Sequence, residues 1–198
     1  DVDGDGDVDG LSASSLDDTV AWYENDGSQS FTERVVTMLA AGAVSILAVD
    51  VDGDGDVDVL SASQDDDTIA WYENDGSQSF AERVVTTLAD GTQYTFAIDV
   101  DGDGDVDALS ASVDDDTIAW YENDGTQSFA EHIITTLADY GQSVFAIDVD
   151  GDGDVDALSA SQEDDTVAWY ENDGSESFTT RIVTTLADYA DSVFAIDV

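Results

Sequence analysis

The sequence predicts an all-β fold, a β-propeller of four-stranded antiparallel blades, on three observations. The four tryptophans, Trp22, Trp71, Trp120 and Trp169, stand 49 residues apart. The same register aligns Asn-Asp-Gly turns at 25–27, 74–76, 123–125 and 172–174 with Phe31, Phe80, Phe129 and Phe178, and with Leu-Ser-Ala-Ser runs opening at Leu11, Leu60, Leu109 and Leu158. Each repeat also holds four short stretches rich in β-branched and aromatic residues, the arithmetic of one blade. Drift of a low-complexity Asp/Gly tract would not keep these landmarks in step. A linear β-solenoid is the rival, but such solenoids carry Gly-Asp tracts about every nine residues, and here the tract comes once per 49.

The elements follow in order. Val144 to Ile147 is an apolar run suited to an inner strand, A, and Asp148 to Asp156 is an acidic loop. Val155 to Ser161 predicts strand B, Glu163 to Asp165 a polar turn, and Thr166 to Glu171 strand C. Asn172-Asp173-Gly174 predicts a hairpin turn, because these residues tolerate positive φ. Strand D runs from Phe178 to Thr185. A helix competes there, but the equivalent Ala130 to Leu137 carries two isoleucines and two threonines, poor helix formers and good strand formers.

One domain is expected, 1–198, with units 1–49, 50–98, 99–147 and 148–196 and with 197–198 in the register of 1–2. The first unit begins inside its loop and lacks strand A, while Ser192 to Ile196 is a surplus strand A. That C-terminal strand is expected to complete the first blade in cis or in a partner chain. The first gives a closed four-bladed ring, the second a homodimer by strand exchange or an eight-bladed assembly; an excised part of a larger propeller is the third arrangement. The opening Asp1-Val2-Asp3-Gly4 reads as neither a signal peptide nor an initiating methionine, as in a mature protein or an excised fragment.

Charge narrows the function. There are 48 acidic residues against 3 Lys and Arg, for a net charge of -45. Such a chain cannot neutralise phosphates, which excludes nucleic acid as a partner and disfavours an anionic membrane. No run of apolar residues is long enough to insert into a membrane. At this density a compact fold repels itself unless cations or salt neutralise it.

The loops supply a place for cations. Asp1, Asp3, Asp5 and Asp9 form a D-x-D-x-D-G-x-x-D pattern, repeated by Asp50, Asp52, Asp54 and Asp58, by Asp99, Asp101, Asp103 and Asp107, and by Asp148, Asp150, Asp152 and Asp156. Asp197 duplicates the register of Asp1. Calcium takes six to eight hard oxygens from flexible acidic loops, and glycine at the sixth position allows the sharp turn. Magnesium demands tighter octahedral geometry, and zinc prefers His and Cys ligands. The EF-hand Glu at position 12 is absent, replaced by Ser12, Ser61, Ser110 and Ser159; both oxygens of the position-9 aspartate are expected to compensate. The position-7 aspartates, Asp7, Asp56, Asp105 and Asp154, are expected to point outward. The acidic turns 17–18, 65–67, 114–116 and 163–165 are expected to be solvated.

The run F-A-I-D-V-D-G-D-G-D-V-D-A-L-S-A-S at 145–161, followed by D-D-T-V-A-W-Y-E-N-D-G at 164–174, resembles the FG-GAP/VCBS repeats, and the resemblance covers essentially the whole chain. It implies integrin-α-like propeller blades with a calcium loop between the first two strands. It also implies that Asp50, Asp52, Asp54 and Asp58, with their copies, are metal ligands. Secreted or cell-surface proteins linked to adhesion are the implied setting. The chain departs from the family in blade number and in lacking Phe-Gly before strand A, where Ser143-Val144-Phe145 stands.

No acidic residue stands out from its copies as a catalytic group would. In each Trp-Tyr pair one ring is expected between blades and the other at a rim. His132 alone replaces Arg34, Arg83 and Arg181, and no second histidine accompanies it for zinc. The expected function is a non-enzymatic, calcium-stabilised scaffold for structural or adhesive interaction. The alternatives are a lectin-like module binding glycans, or a non-catalytic fragment of a larger secreted enzyme. The expected partners are calcium ions, a second copy of the chain, and a glycan or surface protein.

Overall fold

Residues 1–196 are described in a computed structural model of the chain. They form fifteen strands. The first sheet is β1 (Gly10–Ser14), β2 (Thr19–Asn25) and β3 (Phe31–Thr37) in that order. The second is β4 (Ala43–Val49), β5 (Asp58–Ser63), β6 (Thr68–Asn74) and β7 (Phe80–Thr86). The third is β8 (Thr92–Ile98), β9 (Asp107–Ser112), β10 (Thr117–Asn123) and β11 (Phe129–Thr135). The fourth is β12 (Gly141–Ile147), β13 (Asp156–Ser161), β14 (Thr166–Asn172) and β15 (Phe178–Thr184). Every pairing is antiparallel, and the second to fourth sheets each hold the expected strands A to D.

The expected closure into a propeller is not found. The sheets follow one another in chain order, β1 against β4, β4 against β8 and β8 against β12. None closes into a ring, and the first sheet keeps three strands. The C-terminal segment 190–196 forms no strand and does not pair with β1. It lies instead beside β12, where the Phe194 ring packs on Phe145 with centroids 4.7 Å apart. Phe145 packs on Phe96 in the same way, at 4.9 Å. The Val193 N–H reaches Ser143 Oγ at 3.5 Å, as the Thr95 N–H reaches Ser45 Oγ at 3.3 Å. The segment therefore takes the place beside β12 that β12 takes beside β8. Asp197 and the overlap at 197–198 lie outside the described residues.

Side-chain alternation along strand C explains how sheets stack. Consecutive strand residues point to opposite faces, so Trp71 and Tyr72 serve two different interfaces. Trp71 packs with Leu60 and Ile69 against Ala108, Ala119 and Tyr121 of the third sheet. Tyr72 packs with Val59 and Ala70 against Val20 of the first and Ala40 of the connection after β3. Trp120 likewise faces Ala157, Ala168 and Tyr170 of the fourth. Both rings of an inner unit are buried, so the expected rim ring does not exist there: Trp71, Tyr72, Trp120 and Tyr121 are all within 2% of full burial. Small residues in strand B let the sheets approach. The run Leu-Ser-Ala-Ser is fully buried in β5, β9 and β13. In β9 and β13 its first serine meets the tyrosine hydroxyl, Ser110 Oγ to Tyr121 OH at 3.2 Å and Ser159 Oγ to Tyr170 OH at 2.9 Å. In β1, which has no strand A beside it, the same run is only half-buried.

The turns between strands B and C are more than solvated. Asp18, Asp67, Asp116 and Asp165 adopt left-handed backbone, φ 56–59°. Their Oδ1 atoms accept the N–H of Gly42, Gly91, Tyr140 and Tyr189 at 2.9–3.0 Å. These bonds fasten the connection that leads out of strand D.

Leu109 is fully buried at the junction of the third and fourth sheets and pairs across the strand with Trp120. Leu109→Ala is expected to cost about 2–5 kcal/mol through lost burial and the cavity left behind. Denaturant unfolding in calcium measures it, and a cost below about 1 kcal/mol would contradict this packing.

Candidate metal centres

Each acidic loop is wound by its own carboxylates. In the second loop, Asp50 accepts the N–H of Gly53 on Oδ1 at 2.8 Å and that of Gly55 on Oδ2 at 3.0 Å. Asp52 Oδ1 accepts from Asp54 N–H at 3.3 Å, and Asp54 Oδ1 from Asp56 N–H at 2.8 Å. The third and fourth loops repeat all four bonds. Glycine at position 6 has φ 97–102°, the left-handed region that its lack of a side chain permits. Glycine at position 4 is left-handed too, at φ 73–82°, a second requirement that the loop pattern had not assigned.

The position-9 aspartate is the anchor. Asp58, Asp107 and Asp156 are at most 1% exposed. Oδ2 of each accepts the N–H of the position-2 valine, Val51, Val100 or Val149, at 2.8–3.0 Å. Oδ1 accepts the N–H of Asn74, Asn123 or Asn172 at 2.8 Å. Burial pushes the Asp58 carboxyl up to about 6 and the Asp107 carboxyl up to about 7, against the lowering effect of those two N–H bonds. Burial, with the neighbouring loop carboxylates, also raises Asp52, Asp101 and Asp150.

Carboxylate oxygens of Asp50, Asp52 and Asp58 lie within 4.8 Å of one another, as do those of Asp99, Asp101 and Asp107 and of Asp148, Asp150 and Asp156. In the first loop the converging set is Asp1, Asp3 and Asp5. Thus positions 1, 3 and 9 come together in three loops, and positions 1, 3 and 5 in one. Asp54, Asp103, Asp152 and Asp9 stand outside these groups. A buried carboxylate beside two others is a poor arrangement without a cation and a good one with it. The donors are all hard oxygens, which suits calcium.

Two supports lie outside the loops. Asn74, Asn123 and Asn172, expected only as turn residues, are almost fully buried. Their Nδ2 groups donate to the position-8 carbonyls of Val57, Val106 and Val155 at 3.1–3.2 Å. Asn74 Nδ2 also reaches the Val2 carbonyl of the preceding loop at 3.3 Å. The position-7 aspartates turn inward, against expectation. A Cβ on Gly76 would stand 2.6 Å from Asp56 Oδ2, and Gly27, Gly125 and Gly174 face Asp7, Asp105 and Asp154 equally closely. The glycine of each Asn-Asp-Gly turn therefore makes room for the loop as well as for the turn. The one sequence signal for both supports was the fixed spacing of Asn-Asp-Gly from the loop.

A sequence profile described as an FG-GAP-like repeat matches residues 1–61, 50–110, 99–159 and 148–198. Among solved structures, the Vibrio cholerae biofilm matrix protein Bap1 is similar with a TM-score of 0.63 at 20% identity, over 98% of this chain and 29% of its own. A protein from Lactobacillus plantarum is similar with a TM-score of 0.59 at 14% identity, over 87% of this chain and 51% of its own. At these identities the likeness concerns the fold. No curated protein matches the sequence.

Two outcomes are expected. Asn123→Ala should weaken calcium binding at its loop by roughly tenfold or more, as loss of an outer support does; a full set of calcium affinities unchanged by isothermal titration would refute it. The second concerns pH. With folded values of about 6 and 7, above the ordinary carboxylate value, Asp58 and Asp107 bind protons more readily folded than unfolded. Ion-free stability from these groups should therefore fall as pH rises from about 4 to about 7. Calcium requires the ionised form, so its affinity should drop roughly tenfold on going from about pH 7.5 to about pH 5.5. Affinity that is flat over that window would contradict the buried-carboxylate site.

Proposed function

Because this chain belongs to the FG-GAP-like repeat family, we propose that it is a calcium-stabilised, non-enzymatic scaffold serving structural or adhesive interaction. The observation that carries the proposal is the convergence of three carboxylates in each of four loops. Asp1, Asp3 and Asp5, with Asp9 behind them, would hold one ion, and the sets at 50–58, 99–107 and 148–156 would hold three more. Bound calcium would neutralise each loop and tie its tip to the buried end of strand B.

A scaffold reading is supported by what the units leave outside. Leu39, Leu88, Leu137 and Leu186 recur once per repeat and are 70–88% exposed. Val35, Val84, Ile133 and Ile182 on the D strands are half-exposed or more. Repeated apolar positions of this kind suit a macromolecular surface better than a small substrate. The biofilm-matrix setting of Bap1 supports an extracellular structural role and a secreted or cell-surface location. Among the described residues no helix is long and apolar enough to cross a membrane. Glycan stacking has less support, since the aromatic pairs of the inner units are buried.

Removal of calcium tests the proposal. At a free concentration about a hundredfold above Kd, each site adds about 2.7 kcal/mol. Calorimetry should show a clearly lower unfolding temperature in chelator than in calcium. Superimposable transitions would overturn the structural role of the ion.

A further inference from the structure

The repeats differ at one junction in a coordinated way. In the first two units, Arg34 and Arg83 pair with Glu24 and Glu73, with Nη2–Oε2 distances of 2.7 and 2.6 Å. In the fourth unit Arg181 pairs with Glu171 and lies over the Trp169 ring, 5.6 Å from its centre. The third unit has His132 in that place, the one histidine of the chain. Its Nε2 meets Glu122 Oε2 at 2.7 Å, and its ring stacks on Trp120 with centroids 4.5 Å apart.

The next unit changes at the facing position. The hairpin after strand C carries Gln29, Gln78 and Gln127 in three units and Glu176 in the fourth. This hairpin reaches back to the preceding unit. Gln78 shares a crevice with Arg34 and Trp22, and Gln127 Nε2 approaches Asp52 Oδ2 at 3.4 Å. Glu176 is correspondingly brought to His132 and Glu122, and the ligand atoms of the three lie within 4.8 Å of one another. Arginine to histidine and glutamine to glutamate thus occur together, both at the junction of the third and fourth units.

Charge indicates what the change is for. At the junction of the first and second units, Glu24 and Arg34 cancel and Gln78 is neutral. Glu73, Arg83 and Gln127 behave alike at the next junction. Glu122 and Glu176 put two carboxylates at the third junction, near Asp101, where an imidazole stands in place of the guanidinium. A divalent ion restores neutrality. One imidazole and two carboxylates suit a first-row ion such as zinc better than calcium, which takes oxygen alone.

We propose that Glu122, His132 and Glu176 form a transition-metal site at the junction of the third and fourth units, separate from the calcium loops and selective for zinc-like divalent ions. The metal takes the place of the hydrogen bond between His132 Nε2 and Glu122 Oε2, with the imidazole holding its one proton on Nδ1 and any second proton released to water. Those atoms need open only to about 3.3 Å, the ligand–ligand distance of a tetrahedral zinc site. Glu176 supplies the third ligand from the next unit, and water completes the shell. The ion then clamps two sheets at a position where other junctions use an arginine–glutamate pair and a glutamine.

The test uses the whole chain saturated with calcium. Zinc is titrated by calorimetry while the ring signals of the single histidine are followed by NMR. One zinc per chain, with those signals shifting in step, is expected. His132→Arg and Glu176→Gln each restore the residue that the other repeats carry, so both should unfold in calcium as the parent does. Each should weaken zinc binding by roughly tenfold or more. Histidine signals unmoved by zinc would overturn the site and leave a plain His–Glu ion pair. Zinc affinity unchanged in His132→Arg would overturn it in favour of binding on the acidic loops. Affinity unchanged in Glu176→Gln would overturn the part assigned to the fourth unit.

Discussion

A buried carboxylate at the end of strand B is the constraint around which each unit is arranged. Asp58, Asp107 and Asp156 are withdrawn from water and held by two backbone N–H groups each, one from the loop and one from the Asn-Asp-Gly turn. Burying a charge so fully is costly unless partners compensate. The two N–H bonds compensate in part, as the raised values at Asp58 and Asp107 indicate. The remaining demand fixes what surrounds the carboxylate. The loop must curl back over it, which requires left-handed glycines at positions 4 and 6. The turn must approach it, which requires a glycine with no Cβ beside the position-7 aspartate.

The same residue links units as well as strands. Asn74 binds the carbonyl of Val57 in its own loop and of Val2 in the preceding one. Valine at position 2 of the loop is itself buried in the contact between sheets, as Val51 and Val100 are. Ordering of a loop by an ion is therefore felt at two interfaces, its own sheet's and its neighbour's. In a repeat protein, stability is close to a sum of unit terms and nearest-neighbour terms. Here the two kinds of term share residues, so ion binding and stacking are coupled.

Much of this was legible in the sequence, for identifiable reasons. Strands C and D follow from β-branched and aromatic runs, and β14 and β15 lie where Thr166 to Glu171 and Phe178 to Thr185 place them, to within one residue. The acidic loops follow from Asp and Gly at alternate positions. Asp50, Asp52 and Asp58 converge, whereas Asp54 does not join them. Pattern gives residue types that can ligate, while loop curvature decides which of them meet. Sequence alone suggests one core ring and one rim ring for each Trp-Tyr pair, yet both are buried in the inner units. Alternation sends the two rings to opposite faces, and each face of an inner unit meets another sheet. Glu176 carries no such signal in the sequence, because its partners lie in another unit, a proximity that no spacing within one repeat displays.

Closure failed as an expectation for a related reason. The register showed a strand missing at one end and a similar run surplus at the other, which is a statement about complementarity of sequence. Whether the two meet depends on the angle between successive sheets, and 49-residue spacing carries no information on angle. What orients the end of the chain is local. Phe96, Phe145 and Phe194 stack in sequence at 4.9 and 4.7 Å, and Ser45 and Ser143 receive backbone N–H groups from the following inner segment. Each of these contacts specifies where the next unit goes relative to the last, and none refers to the first. An array governed by neighbour-to-neighbour contacts closes only when the accumulated rotation happens to complete a turn. The four sheets described do not close, and the segment at 190–196 packs beside β12 and does not pair with β1.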